Sequence, residues 1–229
     1  VMQVLKFGGS SVGSAEAILQ VVAIVSESIK KEPTSVVVSA MSGVTDQLVM
    51  LAQSASQGNE AYKTIIQNIE QKHLDAVRAL LPIQAQSATL SLVKQSINEL
   101  ESNCEGLFML KELSNRMQDR IVSFGEILSS KIMAATFASK GIHQQWVDSR
   151  LLIKTNANYL NAVVDKDLTT KTIQSYFADP ANNKFDLYMA PGFIASDAEG
   201  NTTTIGRGGS DYTGAIFAAA GLARLDLLP

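Results

Sequence analysis

Apolar residues follow two different periods along this chain, and the switches between them outline its architecture. The run Met2–Phe7 is short and mostly apolar, which predicts a buried strand. Ser14 is placed to cap a helix from Ala15 to about Lys31, with Ile18, Val21, Val22, Ile24 and Val25 forming its apolar stripe and Pro33 stopping it. Ser35-Val36-Val37-Val38-Ser39 is β-branched and of strand length, as expected of a strand buried on both faces. Strand, glycine turn, helix, strand is the pattern of a parallel βαβ unit. Residues 44–140 then change character, with scarce glycine and helical patterns over Thr45–Ser56, Glu60–Leu80, Ala85–Leu113 and Ser114–Ser139. Such a block inside a parallel α/β fold reads as a helical insertion, about residues 56–120, followed by one helix that returns to the core.

Strand patterns resume at Gln144–Asp148, Leu151–Ile153 and Phe185–Met189, with a helix over Leu168–Ala178 ending at Asp179-Pro180. Phe193–Ser196 and Thr202–Ile205 flank the turn Ala198-Glu199-Gly200-Asn201 as a β-hairpin. A helix is expected from near Ser210 to Leu222, and Leu225–Leu228 begins a further strand. The resulting fold class is a three-layer αβα sandwich with a mostly parallel sheet. A chain that stops on a strand edge, at Pro229, is expected to be a domain truncated at its C-terminus.

Composition narrows the function. The 229 residues are 46% hydrophobic and 18% charged, which suits a globular fold with a substantial core. A net charge of −3, with no block of Lys or Arg, argues against nucleic-acid or membrane-surface partners. Cys104 is the sole cysteine and His73 and His143 are the only histidines, so no disulfide can form within the chain and a Cys/His zinc cluster is excluded. No uninterrupted apolar run reaches membrane-helix length, the N-terminus lacks a signal-peptide pattern, and a reducing, cytoplasmic setting is expected. His73 sits among charged helix residues and is expected in solvent, while Met109, Met117 and Met133 read as core filler.

The candidate chemistry lies in two glycine-rich turns at opposite ends of the sequence. Lys6-Phe7-Gly8-Gly9-Ser10-Ser11 follows the first strand, and Gly206-Arg207-Gly208-Gly209-Ser210-Asp211 opens the last helix. Glycines after a strand let backbone N–H groups approach an anion, and a helix start adds unsatisfied N–H groups. Neither turn is a Walker A loop, whose lysine follows its glycines, and position Asp211 breaks a dinucleotide fingerprint. With a lysine on one turn and an arginine and an aspartate on the other, the pair suits a polyphosphate and a small charged acceptor. Each residue also has a plain structural reading: Lys6 as a solvated strand end, Arg207 and Asp211 as a simple i, i+4 ion pair, Ser210 and Asp211 as helix caps, Ser39 and Thr45 as turn hydroxyls. Glu126 could be a surface charge, but its neighbours Ile121, Val122, Phe124, Ile127 and Leu128, with the helix-weakening Gly125, point to a buried role.

Four segments in order resemble the aspartate kinases: Lys6–Val12 their KFGGTSV opening, Val38–Thr45 their SA-x-x-G-x-T turn, Ser123–Glu126 their S-x-G-E helix segment, and Gly206–Thr213 their GRGGSDYT turn. Ser10 stands where that family usually has threonine, and the hydroxyl is kept. The long helical block resembles the lysine-sensitive and homoserine-dehydrogenase-fused forms. The resemblance implies the amino-acid kinase fold and ATP-dependent phosphorylation of L-aspartate to 4-phospho-L-aspartate, the entry to lysine, threonine and methionine synthesis. It implies ATP and Mg²⁺, the latter carried by ATP with no direct protein ligand, and at least a dimer for the whole protein. The family's nucleotide-holding stretch after this point and its regulatory ACT domains are absent from these residues.

On that resemblance, Lys6 and Asp211 are the expected catalytic pair, and Lys6, Gly8, Gly9, Ser10, Gly208 and Gly209 the phosphate binders. Arg207 would grip the α-carboxylate of aspartate and Glu126 its α-ammonium, with Ser39, Thr45, Phe193 and Ser210 lining the substrate. The alternatives are a relative acting on glutamate or acetylglutamate, and a fragment that binds aspartate without turning over ATP.

Overall fold

The computed structural model describes residues 2–206, 208–222 and 225–228. In chain order its elements are β1 (Gln3–Phe7), α1 (Ala15–Ile29), β2 (Thr34–Val38), α2 (Val44–Ser56), α3 (Tyr62–Leu80), α4 (Ser87–Leu110) and α5 (Asn115–Ser139). There follow β3 (Gln144–Trp146), α6 (Ser149–Leu152), α7 (Lys166–Ala178), β4 (Leu187–Pro191), β5 (Ile194–Ser196), β6 (Thr202–Thr204), α8 (Gly209–Phe217), a π-helical turn at Ala218–Leu222, and β7 (Leu225–Leu228). Five strands pair in the order β3-β4-β2-β1-β7, every pair parallel, while β5 and β6 form a separate antiparallel hairpin.

The strands read as uninterrupted apolar runs because both sheet faces are covered. Successive side chains point to opposite faces, and the two cores divide accordingly. Leu5, Phe7, Val36, Val38, Leu187 and Met189 face the core built with α1–α5. Val4, Val37, Tyr188 and Ala190 face the other, with Leu152, Ile173 and Phe217 from α6, α7 and α8. This is the three-layer αβα arrangement with helices on both sides of a parallel sheet. The predicted caps are in place: Ser14 Oγ accepts from Ala17 N, and Ser114 Oγ from Met117 N.

The helical block consists of α3 and α4 stacked on α2 and α5, with Pro82 and a single 3₁₀ turn at Ile83–Ala85 breaking the chain between them. α5 is long and apolar enough to cross a membrane by length and composition, but 83% of that stretch is buried inside the protein. It is the central helix of the larger core.

Four sequence expectations are corrected. Leu151–Ile153 is not a strand: Asp148 Oδ1 accepts from Arg150 N and caps the short helix α6 instead. His73 is wholly buried, with Nδ1 2.7 Å from Ile69 O on the preceding turn, because its face of α3 turns into the bundle despite charged sequence neighbours. Met109 is 82% exposed near the end of α4, just before Lys111 ends the helix in a left-handed conformation; Met117 is half-buried and Met133 fully buried. Ile24 leaves the apolar stripe of α1 for the surface.

Candidate active site

The carboxyl ends of β1 and β2 open into a cavity of about 860 Å³, at the edge of a parallel sheet where α/β folds place their ligands. Lys6, one residue before the end of β1, sends its ammonium to Asp211 Oδ1 at 2.7 Å. Lys6 is nearly enclosed while Asp211 is half-exposed, so the pair sits at the rim between protein and cavity. Beyond β1 the chain turns tightly, Ser11 N donating to Gly8 O. Gly9 and Ser10 line the cavity, and Gly8 is buried.

α8 forms the facing wall. Gly206 and Gly208 take left-handed backbone conformations, φ +82° and +70°, which glycine adopts without strain. A Cβ on Gly209 would lie 2.5 Å from the Phe193 ring, and one on Gly192 would lie 2.6 Å from Ser210 Oγ, so the turn after β4 and the start of α8 meet at backbone contact. Phe193 itself has φ +71°, held by its N–H donating to Thr213 Oγ1, which donates in turn to Gly209 O. Tyr212 N donates to Gly208 O in the first turn of α8, and Gly209, Ser210 and Asp211 at that helix start line the cavity. Ser39 Oγ donates to Ser210 Oγ at 2.9 Å and joins the end of β2 to this wall.

Glu126 occupies the opposite side. Gly125 makes this reachable: a Cβ there would stand 2.8 Å from that of Ala40, so only glycine lets α5 approach the loop after β2 so closely. Glu126 Oε1 accepts from Ala40 N at 3.3 Å, and Ser129 Oγ donates to Ser39 O at 2.6 Å to fix the same loop. Glu126 is 3% exposed, and its Oε2 is buried without a partner. Burial pushes its carboxyl up to about 8, against the opposing effect of backbone hydrogen bonds.

Of the expected residues, Lys6, Gly9, Ser10, Ser39, Thr45, Glu126, Phe193, Gly208, Gly209, Ser210 and Asp211 all line this one cavity. Arg207 lies outside the described residues. Sequence reasoning missed Gln118 and Leu160 in the lining, and Asp119 behind it. Asp119 is fully buried in α5 and accepts from Leu160 N at 2.9 Å, Thr204 N at 3.2 Å and Thr204 Oγ1 at 2.7 Å. It ties β6 and the Leu160 turn to the helix that carries Glu126. Burial raises its pKa above the usual range although all three bonds favour the ionised form.

A sequence model of the Amino acid kinase family matches residues 2–227. The chain belongs to this family. As an amino acid kinase it is similar to the bifunctional aspartokinase/homoserine dehydrogenase of Buchnera aphidicola, at 30% identity over 95% of this chain and 27% of that one. It is 31% identical to lysine-sensitive aspartokinase 3 of Escherichia coli over 95% of this chain and 46% of the relative. Its fold superposes on Escherichia coli aspartokinase III in complex with aspartate and ADP with a TM-score of 0.88, at 28% identity, covering 99% of this chain and 48% of that one. The chain thus spans less than half the length of each of these relatives.

Proposed function

We propose that this amino acid kinase is the catalytic part of an aspartate kinase, which transfers the γ-phosphoryl group of ATP to the β-carboxylate of L-aspartate. The observation that carries the reading is the unpartnered, buried Glu126 Oε2, which shares a cavity with the Lys6–Asp211 pair. A buried carboxylate oxygen with no donor is costly, and an incoming ammonium removes that cost. The aspartate and ADP bound to the Escherichia coli relative support the same assignment.

A free β-carboxylate has a pKa of about 4 and is already a nucleophile at neutral pH, so no general base is required. One of its oxygens forms a bond to the γ-phosphorus while the bond from that phosphorus to the β-phosphate oxygen breaks. The electron pair leaves on ADP, and no proton moves. The protein's task is to hold two anions together and to stabilise the charge on the transferring group. In this reading Lys6 and the N–H groups of Gly9, Ser10 and the α8 start hold phosphate oxygens, and Asp211 holds the Lys6 ammonium in place. Ser39, Thr45, Phe193 and Ser210 shape the acceptor half, with Arg207 as the proposed grip on the α-carboxylate.

Among the described residues no group of three or more His, Cys, Asp or Glu side chains is placed to hold a metal ion. Asp211 and Asp46 are the carboxylates on the wall besides Glu126. That donor set fits Mg²⁺ arriving on ATP with most of its water shell, where it supplies charge neutralisation to the phosphates. We further propose that the adenine and ribose contacts come from sequence beyond these 229 residues, and that the whole protein is a cytoplasmic oligomer.

The test is trapping of the acyl phosphate with hydroxylamine, using Mg-ATP with L-aspartate, L-glutamate or N-acetyl-L-glutamate, on this chain and on a longer form. Aspartate-dependent hydroxamate that Lys6→Ala abolishes is the expected result. N-acetylglutamate has no free ammonium for Glu126 to meet; hydroxamate formed from it and not from aspartate would overturn the assignment. Aspartate binding without hydroxamate in either form would leave a binding module.

A further inference from the structure

The helix that carries Glu126 has a second cavity on another face. It measures about 450 Å³, within the range of small-molecule sites. Its walls are α5, the middle of α4, Arg150 of α6, and the turn of the β5–β6 hairpin at Gly200–Thr202. Four of its lining residues are cations (Arg116, Arg120, Lys131 and Arg150) and only one, Glu99, is an acid. This concentration is out of keeping with a chain whose net charge is −3.

The cations are not equally available. Arg150 is held in a fork by Asp148, with Nε and Nη2 each 2.9 Å from a carboxylate oxygen, and Nη1 also meets Thr202 Oγ1. Arg120 shares Glu99 at 3.1 Å through one nitrogen and keeps the rest of its donors. Arg116 and Lys131 have no carboxylate within ion-pair distance among the described residues, and Lys131 lies over the Trp146 ring at 4.6 Å. Fifteen residues separate these two on one helix, about 22 Å at 1.5 Å per residue, less what their flexible stems close. Between them the lining is mostly polar, with Ser123 of α5 and Asn201 and Thr202 of the hairpin, while Phe124 and Ile127 are themselves buried.

Positive charge at two separated ends is the complement of one kind of ligand. We propose that this cavity binds an elongated small-molecule dianion, with a phosphate or carboxylate group at each end. Arg116, assisted by Arg120, takes one end and Lys131 the other. A compact anion reaches only one of the two. The site is separate from the Lys6 cavity, with which it shares none of its lining residues.

The test is calorimetric titration at fixed ionic strength with α,ω-alkane bisphosphonates of increasing chain length, each beside the monophosphonate of equal length. Affinity is expected to rise with length to an optimum, with the monophosphonate at least about tenfold weaker because the second end no longer binds as an intramolecular event. Arg116→Gln and Lys131→Gln should each weaken the best bisphosphonate by roughly tenfold. Arg116→Lys should retain most of the affinity, and Lys6→Ala should leave it unchanged. Arg116 is exposed and Lys131 half-buried, so these variants should keep the parent's melting curve, which is recorded alongside. Affinity independent of length or of the second anionic group would overturn the proposal. So would binding indifferent to Arg116 and Lys131, binding lost with Lys6→Ala, or binding of an acidic peptide alone.

Discussion

Asp119 and Glu126 are two buried carboxylates on the same helix, seven residues apart, and their surroundings give them opposite meanings. Burial raises both pKa values. Around Asp119 the protein supplies three donors from two distant segments, so its charge is fully used by the fold. Around Glu126 one oxygen accepts from Ala40 N, and the second is buried with no partner in a residue that lines the cavity. The first arrangement is complete without a ligand, and the second is not. A count of hydrogen bonds to buried carboxylates thus separates the clamp from the binding group, where burial and pKa direction do not.

Amide substitutions sharpen this contrast, because each conserves shape. Asp119→Asn can keep its oxygen for the Leu160 and Thr204 N–H groups and turn its NH₂ to the Thr204 hydroxyl, but it gives up the charge behind all three bonds, and is expected to destabilise the fold by roughly 2 kcal/mol, read from chemical denaturation. Unchanged stability would mean that the carboxylate charge adds nothing to the Leu160 and Thr204 contacts. Glu126→Gln should shift stability by less than about 1 kcal/mol, since its oxygen can still accept from Ala40 N. The same change should weaken L-aspartate binding by ten- to a hundredfold, as measured by calorimetry, and move the ATP requirement little. Equal effects on both substrates would count against an ammonium contact.

Acidity probes the same difference. With a folded pKa of about 8 against 4.5 for the free side chain, Glu126 retains in the native state a proton that the unfolded chain has lost. Its contribution to stability is therefore full below pH 4.5 and is lost as pH rises through 8. An ammonium ligand needs the ionised form, so aspartate affinity should climb by up to about tenfold per pH unit up to pH 8, with a proton released on binding. Titrations in buffers of different ionisation heat measure that proton directly, and Glu126→Gln should abolish its release. A smaller effect than that of Asp119→Asn is expected at Thr204→Val, which removes one donor from Asp119 and should cost about 1 kcal/mol, with Thr204→Ser close to the parent.

Most of the fold was legible wherever periodicity decides structure. The β1–α1–β2 unit, the β5–β6 hairpin and the helical block follow from local pattern, because one face or both faces of each element are buried in a regular way. The burial of Glu126 was legible too, through the adjacent Gly125, whose cost inside a helix demanded a close neighbour. Asp119 was not. Its partners lie 41 and 85 residues along the chain, and nothing in Met117-Gln118-Asp119-Arg120 distinguishes it from a surface acid. The burial of His73 had the same cause, since its charged sequence neighbours occupy the other faces of α3. Leu151–Ile153 was misread because a capping aspartate outweighed an apolar triplet.

The pairing of β1 with β7 has a further consequence, for the order in which the molecule is built. Residues 3–7 leave the ribosome long before residues 225–228, the neighbour that closes their far side. Until those emerge, β1 has only β2 beside it and shows an open strand edge, the kind of surface that invites pairing with another chain. The helices α2, α3, α4 and α5 are joined by short connections and pack on one another, so they can begin to condense during synthesis, although α5 gains its contacts with β4, β6 and Leu160 only later. The sheet must wait for almost the last residues of this stretch. A nascent chain halted before residue 225 should therefore carry native-like helices over an unfinished sheet, and its hazard during synthesis is aggregation through β1.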